Sequence, residues 1–251
     1  MSGHSKWSTI KRKKGAADAK RGRIFARLVR AIEVAAREGG GDPDYNPTLA
    51  DAIQGAKDNS VPKDTIERAV KRGSGELEGV SYEPVQYEGY AGGGVAVLVD
   101  CLTDNRNRTA ADVRAIFTKH GGSLAEPGSV AYLFDRRGMV VVGSDGVTED
   151  DVLVAGLDAG LEDIEDQGDQ FIAWCDPSDV RGLRGALQDK GLPVKEAVST
   201  MVPASTVPIT DVQQAKKLMR LLDAIDDNDD VQEFYANYDV ADELMEQLAE
   251  E

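Results

Sequence analysis

Between Asp18 and Glu38 apolar residues recur at three- and four-residue intervals. At about 100° per residue, Ile24, Phe25, Leu28, Val29, Ile32, Ala35 and Ala36 share an arc of about 140°. The pattern predicts an amphipathic helix, stopped by Gly39, Gly40 and Gly41, which favour a left-handed exit. Lys20, Arg23, Arg27, Arg30 and Arg37 fall on the opposite side of the wheel, with Arg21 out of line and Val34 intruding on the basic stripe. A second helix is predicted over NPTLADAIQGAKDN, where Asn46 caps, Pro47 suits the first turn and Leu49, Ala52, Ile53 and Ala56 face inward. A third follows in VPKDTIERAVKRG, with Pro62 near its start, Ile66, Ala69 and Val70 inward, and Gly73 as the stop. Residues 1–76 thus form a basic arm and a three-helix bundle.

After GSGELEG the period shortens to two. VQYEGY and GVAVLVDCL are predicted strands joined by the AGGG turn, NRTAADVRAIFTKH a helix capped by Asn107 or Thr109, and SVAYLF another strand. GMVVVG, TEDDVLVAGLDAG, EDIED, QFIAWC, PSDVRGLRGALQDKG and PVKEAVSTMV then spell β-α-β-β-α-β, the ferredoxin-like order, with Thr148 and Asp151 resembling a capping box. TDVQQAKKLMRLLDAIDD is a further helix and DVQEFYANY a last strand. The expected fold is α+β: the bundle, then two ferredoxin-like lobes, one inserted into the other. Residues 80–135 and 201–240 make a discontinuous lobe, 136–200 the inserted lobe and 241–251 an acidic tail.

Charge sharpens this picture. The 251-residue chain has a formal net charge of -16, yet residues 4–30 hold ten Lys or Arg and one acid, Asp18. Through residue 75 there are 16 bases and 9 acids, a balance of +7; the remainder carries 13 bases and 36 acids, or -23. Segregation of this size marks one end as a binder of polyanions. A solvated face mixes signs, whereas here Trp7 stands among bases, suited to stacking on an unpaired base while the cations neutralise phosphates. The residues nominated for nucleic-acid contact are His4, Lys6, Trp7, Lys11, Arg12, Lys13, Lys14, Lys20, Arg23, Arg27 and Arg30, with Arg106 and Arg108 from the loop LTDNRNRTAADVR as either solvated arginines or a second phosphate contact. After Arg220 no base occurs and twelve acids accumulate. That end is expected to be a solvated helix and tail; the alternative is a phosphate mimic that competes for the basic arm.

Other chemistry finds little support. His4 and His120 are far apart with no carboxylate or cysteine cluster beside either, so neither a zinc site nor a Cys/His nucleophile is expected. Cys101 and Cys175 sit in apolar strand segments and are expected to be buried, inert thiols. The acid pairs Glu149/Asp150 and Asp229/Asp230 fit solvated helix starts and turns, and Gly92, Gly93 and Gly94 precede a strand, as a hairpin turn does and a dinucleotide loop does not. No apolar run approaches a membrane span, and the N-terminus has no apolar leader segment. The expectation is a cytoplasmic, non-enzymatic protein with no cofactor, no metal, no membrane partner, no obligate small molecule and a monomeric state.

GHSKWSTIKRKKGAADAKRGRIFARLVRAIEVAAREGG, NPTLADAIQGAKDNSVPKDTIERAVKRGSG and LTDNRNRTAADVR resemble the YebC/PmpR family over nearly the whole chain. That family is described as probable transcriptional regulators, with mitochondrial relatives that activate translation. The resemblance implies three domains, a helical bundle followed by two α+β lobes with one interrupting the other. It carries over Gly3, His4, Ser5, Lys6 and Trp7, the bases from Lys11 to Arg30, and Asp104, Asn105, Arg106, Asn107, Arg108 and Thr109. AGGG at 91–94 departs from it, since many relatives are expected to have proline there. Three functions follow as alternatives. One is a transcriptional regulator binding DNA through the basic N-terminal domain; another is a ribosome-associated factor binding rRNA or tRNA and assisting translation of proline-rich sequences. The third is a small-molecule-sensing ferredoxin-like module.

Overall fold

The fold is taken from a computed structural model, which describes residues 17–241 and residue 244, with side chains from residue 22 onward. Helix α1 (Ala17–Gly39), α2 (Pro47–Asp58) and α3 (Lys63–Gly73) form the N-terminal bundle. Ile32, Ala35, Ala36, Leu49, Ala56, Val61, Ile66 and Ala69 are its buried core; all but Val61 belong to the inward set that the periodicity predicts, whereas Ile24 of that set is exposed. Asn46 does two jobs there. Its Oδ1 accepts from the Leu49 N–H at 3.1 Å, capping α2, while its Nδ2 donates to the carbonyls of Ala35 and Gly40 at 2.8 Å each, closing the end of α1. Gly73 ends α3 against α1 so closely that a Cβ would stand 2.4 Å from the Glu33 carbonyl oxygen. Glu33, itself buried, pairs with Arg72 at 2.5 Å.

Strands β1 (Glu83–Tyr90) and β2 (Ala96–Thr103) form a hairpin through a Gly92–Gly94 turn in which Gly93 and Gly94 have φ of +81° and +80°, open only to glycine at low cost. Helix α4 (Arg106–Lys119) and the two-residue β3 (Ser123–Leu124) follow. Later in the chain β8 (Val207–Ile209), α7 (Val212–Asp226), β9 (Val231–Ala236) and β10 (Tyr238–Val240) complete this part. The order across its four-stranded sheet is β3-β1-β2-β9, all antiparallel, and β8 pairs with β10 in a separate parallel ladder. Val97, Val99, Phe117, Leu218, Leu221, Leu222 and Ile225 belong to the core under the sheet.

SVAYLF is not a strand. Ala131–Leu133 is a single 3₁₀ turn, because the Glu88 carboxylate accepts the N–H groups of Gly128 (2.6 Å), Val130 (2.5 Å) and Ala131 (2.9 Å) that a ladder would have used. Burial alone would raise the Glu88 carboxyl, yet these backbone donors hold it below its ordinary value.

The second compact unit is Phe134–Ala204, and the first comprises the residues before and after it. It contains β4 (Phe134–Gly143), α5 (Glu149–Gly156), β5 (Leu161–Asp166), β6 (Gln170–Cys175), α6 (Val180–Asp189) and β7 (Val194–Pro203). Its sheet order, β5-β6-β4-β7, is ferredoxin-like and antiparallel throughout. Thr148 and Asp151 form the expected capping box.

Replacing Asn46 by Ala leaves two carbonyls and one N–H without their partner. Thermal or urea unfolding of Asn46→Ala is expected to show a loss of about 1–3 kcal/mol, and an unchanged midpoint removes Asn46 from the account of bundle closure.

Candidate nucleic-acid interface

Of the nominated residues, His4, Lys6, Trp7, Lys11, Arg12, Lys13 and Lys14 lie outside the described residues, as does the Lys20 side chain. The expected tail at 241–251 lies outside them too, apart from Ala241 and Leu244. Arg23, Arg27, Arg30, Arg106 and Arg108 are described, and each meets an acid.

The arginine row of α1 runs along the C-terminal end of α7. Arg23 Nη1 lies 2.5 Å from Asp227 Oδ1, and Arg27 Nη1 lies 2.9 Å from Asp226 Oδ1. Arg27 also donates to the Asp226 carbonyl and Arg30 to the Asp229 carbonyl, while Arg30 Nη1 is 3.8 Å from Asp230 Oδ1. A helix C-terminus carries unpaired carbonyls and a partial negative charge, so cations are doubly suited to this place. The guanidinium of Arg30 also sits 5.2 Å over the Tyr82 ring. The Arg27 and Asp226 side chains keep only 19% and 16% of their exposure, whereas Arg23 and Asp227 keep 39% and 61%. The pairs therefore grade from enclosed to water-accessible towards the start of α1. These acids were expected to be solvated; Asp226, Asp227 and Asp230 instead pair with arginines remote in sequence.

Asp230 is the hub. Buried at the start of β9, its Oδ2 lies 2.9 Å from Arg108 Nη2 and 2.7 Å from the Thr109 hydroxyl, which is in turn 2.7 Å from the Thr103 hydroxyl. Its N–H donates to Asn228 Oδ1, and its carbonyl accepts from Leu102 N–H, each at 2.9 Å. Desolvation pushes the Asp230 carboxyl up; the hydrogen bonds from Arg108 and Thr109 and the charges of Arg108 and Arg30 outweigh it and hold the group below its ordinary value.

The cap of α4 is neither Asn107 nor Thr109. Asn105 accepts from the Arg108 N–H at 3.1 Å, which shifts the helix start forward and puts Arg106 and Arg108 in its first turn rather than in a loop. Thr109 is consequently buried at the hub. Arg108 bridges Asp104 and Asp230, and the exposed Arg106 lies 3.6 Å from Glu83. Arg30, Tyr82, Arg108, Asp112, Asn228 and Asp229 are among the residues around a polar cleft of about 370 Å³.

Neither cysteine is a thiolate at neutral pH: burial pushes Cys101 up to about 12 and Cys175 up to about 11. Among the described residues there is no group of three or more His, Cys, Asp or Glu placed to hold a metal, and no helix long and apolar enough to cross a membrane. Tyr82, Asp226, Asp227 and Asp230 were not nominated from the sequence. The only local hint was the run of acids after Arg220, four of them within five positions.

The family model described as "TACO1/YebC protein N-terminal domain" matches residues 5–76, and that described as "TACO1/YebC second and third domain" matches residues 82–238. A protein of Beutenbergia cavernae named "Probable transcriptional regulatory protein" is 58% identical over 253 residues, covering 100% of both chains. One of Thermobifida fusca with the same name is 56% identical over 250 residues, 99% of this chain and 100% of its own. The crystal structure of a conserved hypothetical protein from Aquifex aeolicus superposes with a TM-score of 0.82 at 44% identity, covering 90% of this chain and 93% of that one.

A carboxyl whose folded pKa is depressed stabilises the fold above its unfolded pKa, about 3.9 for Asp, and loses that contribution as pH falls through the folded value. Asp230→Asn is therefore expected to unfold at a lower temperature than the unmodified chain at pH 7, and the gap is expected to narrow progressively as pH falls below about 4. Unfolding scans across pH 3–7 check this, and a gap independent of pH assigns the loss to shape rather than charge.

Proposed function

The chain belongs to the TACO1/YebC family, and from that membership we propose that it regulates gene expression by binding nucleic acid through its basic N-terminal segment, as a transcriptional regulator acting on DNA. The observation that carries this reading is the segregation of charge, +7 through residue 75 against -23 beyond it. Relatives covering the whole chain and named "Probable transcriptional regulatory protein" support it. Bases recruit a phosphate backbone, while the acidic lobes repel it and keep contact local to the arm and bundle.

A second reading, a ribosome-associated factor contacting rRNA or tRNA, is favoured by a specific observation. Reading B-DNA in the major groove needs a helix face free to enter the groove. The basic face of α1 is met by acids at Arg23, Arg27 and Arg30, and the outward residues of α3 mix both signs, in Lys63, Asp64, Glu67, Arg68 and Lys71. Such surfaces suit recognition of phosphate positions and shape, which is how folded RNA is bound.

In-cell crosslinking with sequencing of the attached nucleic acid separates these readings, comparing the intact chain with one lacking residues 1–20. Promoter DNA lost with the arm supports the first, and discrete rRNA or tRNA segments lost with the arm support the second. In vitro, the truncated chain is expected to bind at least about tenfold more weakly at low salt. Its slope of log affinity against log salt should be shallower by about 0.7–0.9 per phosphate contact removed. Equal affinity with and without the arm overturns the proposal.

A further inference from the structure

We propose that the turn Asp226–Asp230 is an internal stand-in for a phosphate backbone, occupying the arginine row of α1 so that nucleic acid reaches that row only by exchanging with these acids. The inference rests on the nucleic-acid reading above and adds a regulatory step to it.

Three observations carry it. The first is register. Arg23, Arg27 and Arg30 step along α1 by about 6 and about 4.5 Å, and each finds an oxygen of the turn, from Asp227, Asp226 and Asp229 in that order, with the Asp230 carboxylate behind. A row of guanidinium groups facing carboxylate oxygens at Arg23 and Arg27 and a carbonyl oxygen at Arg30 resembles the run of acceptors that a phosphodiester chain also offers.

The second is that, among the described residues, the two apolar cores are distinct. The bundle core, built on Ile32, Leu49 and Ile66, and the sheet core, built on Phe117, Leu221 and Leu222, are separate clusters with no residue in common. Among the described residues, the bonds identified between the α1 row and the end of α7 are ion pairs and hydrogen bonds, and the pair with water-accessible ends, Arg23–Asp227, is of the kind that is worth little individually, weakens with salt and exchanges one anion for another. The third is polarity within the row. Asp230 is fixed by Arg108 and Thr109 independently of α1, whereas the Arg23–Asp227 pair is the most exposed. Exchange therefore begins at Arg23 and proceeds towards Arg30, leaving the turn in place while the row passes to the phosphates.

The test uses the full chain with labelled poly(U) and a mixed-sequence DNA duplex at about 50 and 200 mM KCl. Asp226→Asn/Asp227→Asn opens the row, Arg23→Gln/Arg27→Gln removes it, and Asp145→Asn/Asp150→Asn, at exposed positions of the other unit, changes net charge equally. The opened variant is expected to bind roughly three- to tenfold more tightly than the charge control. The Arg variant should bind more weakly than the unmodified chain, and adding the Asp changes to it should restore nothing. Hydrogen exchange in the unmodified chain gives a check that needs no variant: amides of residues 226–230 are expected to exchange faster when poly(U) binds. If the unmodified chain binds but the opened variant matches the charge control, and exchange at 226–230 is unmoved, the contact is a fixed tie; the latch is overturned and the functional reading stands. If neither polymer is bound by any variant, the functional reading falls and the latch with it.

Discussion

A carboxylate taken out of water must find cations and donors to match the hydration it loses, and in this chain that requirement falls on Asp230. Arg108 and Thr109 reach it from the first turn of α4, Thr103 closes the same network from the end of β2, and Arg30 approaches from α1. The main chain at Asp230 contributes as well, since its carbonyl receives the Leu102 N–H where the β2–β9 ladder slips at Asp100/Cys101. One residue thus ties together the end of β2, the first turn of α4 and the entry of β9, and its carboxylate lies 3.8 Å from Arg30 of α1. Breaking a buried network of this kind by removing one member leaves the others desolvated without a partner, which is why the cost exceeds that of any single bond in it.

Much of the fold was legible because it is decided locally. Asn46 and Pro47 mark the start of α2, Thr148 and Asp151 that of α5, and the succession of periods in residues 134–203 is enough for the ferredoxin-like order. Two local readings missed for reasons that are not local. SVAYLF alternates like a strand, but Glu88, some forty residues earlier, takes its N–H groups. Asn107 and Thr109 are good caps in isolation, but Thr109 is drawn inward by an aspartate 121 positions away. The arginine row was visible on a helical wheel and the acids were visible as a run. Their pairing spans 199 to 204 positions, and no window of sequence contains both halves.

This pairing alters how a basic segment should be weighed. Counting lysines and arginines treats each as a free charge available to phosphate, yet all five nominated side chains within the described residues already face an acidic partner. A phosphate that meets such an arginine gains the difference between two ion pairs, not the whole of one. Affinity for nucleic acid then depends less on how many bases the bundle carries than on how firmly its own acids compete for them, and salt weakens both sides of that competition.

The Glu88 carboxylate has a consequence at the rim of the sheet. By drawing the chain of residues 128–131 around itself it confines β3 to Ser123–Leu124, opposite Gly89 and Tyr90 alone, so most of β1 is left as an outer edge. That edge carries Pro84, which has no N–H to offer, together with Glu83 and Gln86, and a border so furnished is a poor template for an incoming strand. Pro84, Glu83 and Gln86 thus offset the open border that the placement of Glu88 leaves, discouraging copies of this sheet from zipping together along their backbones.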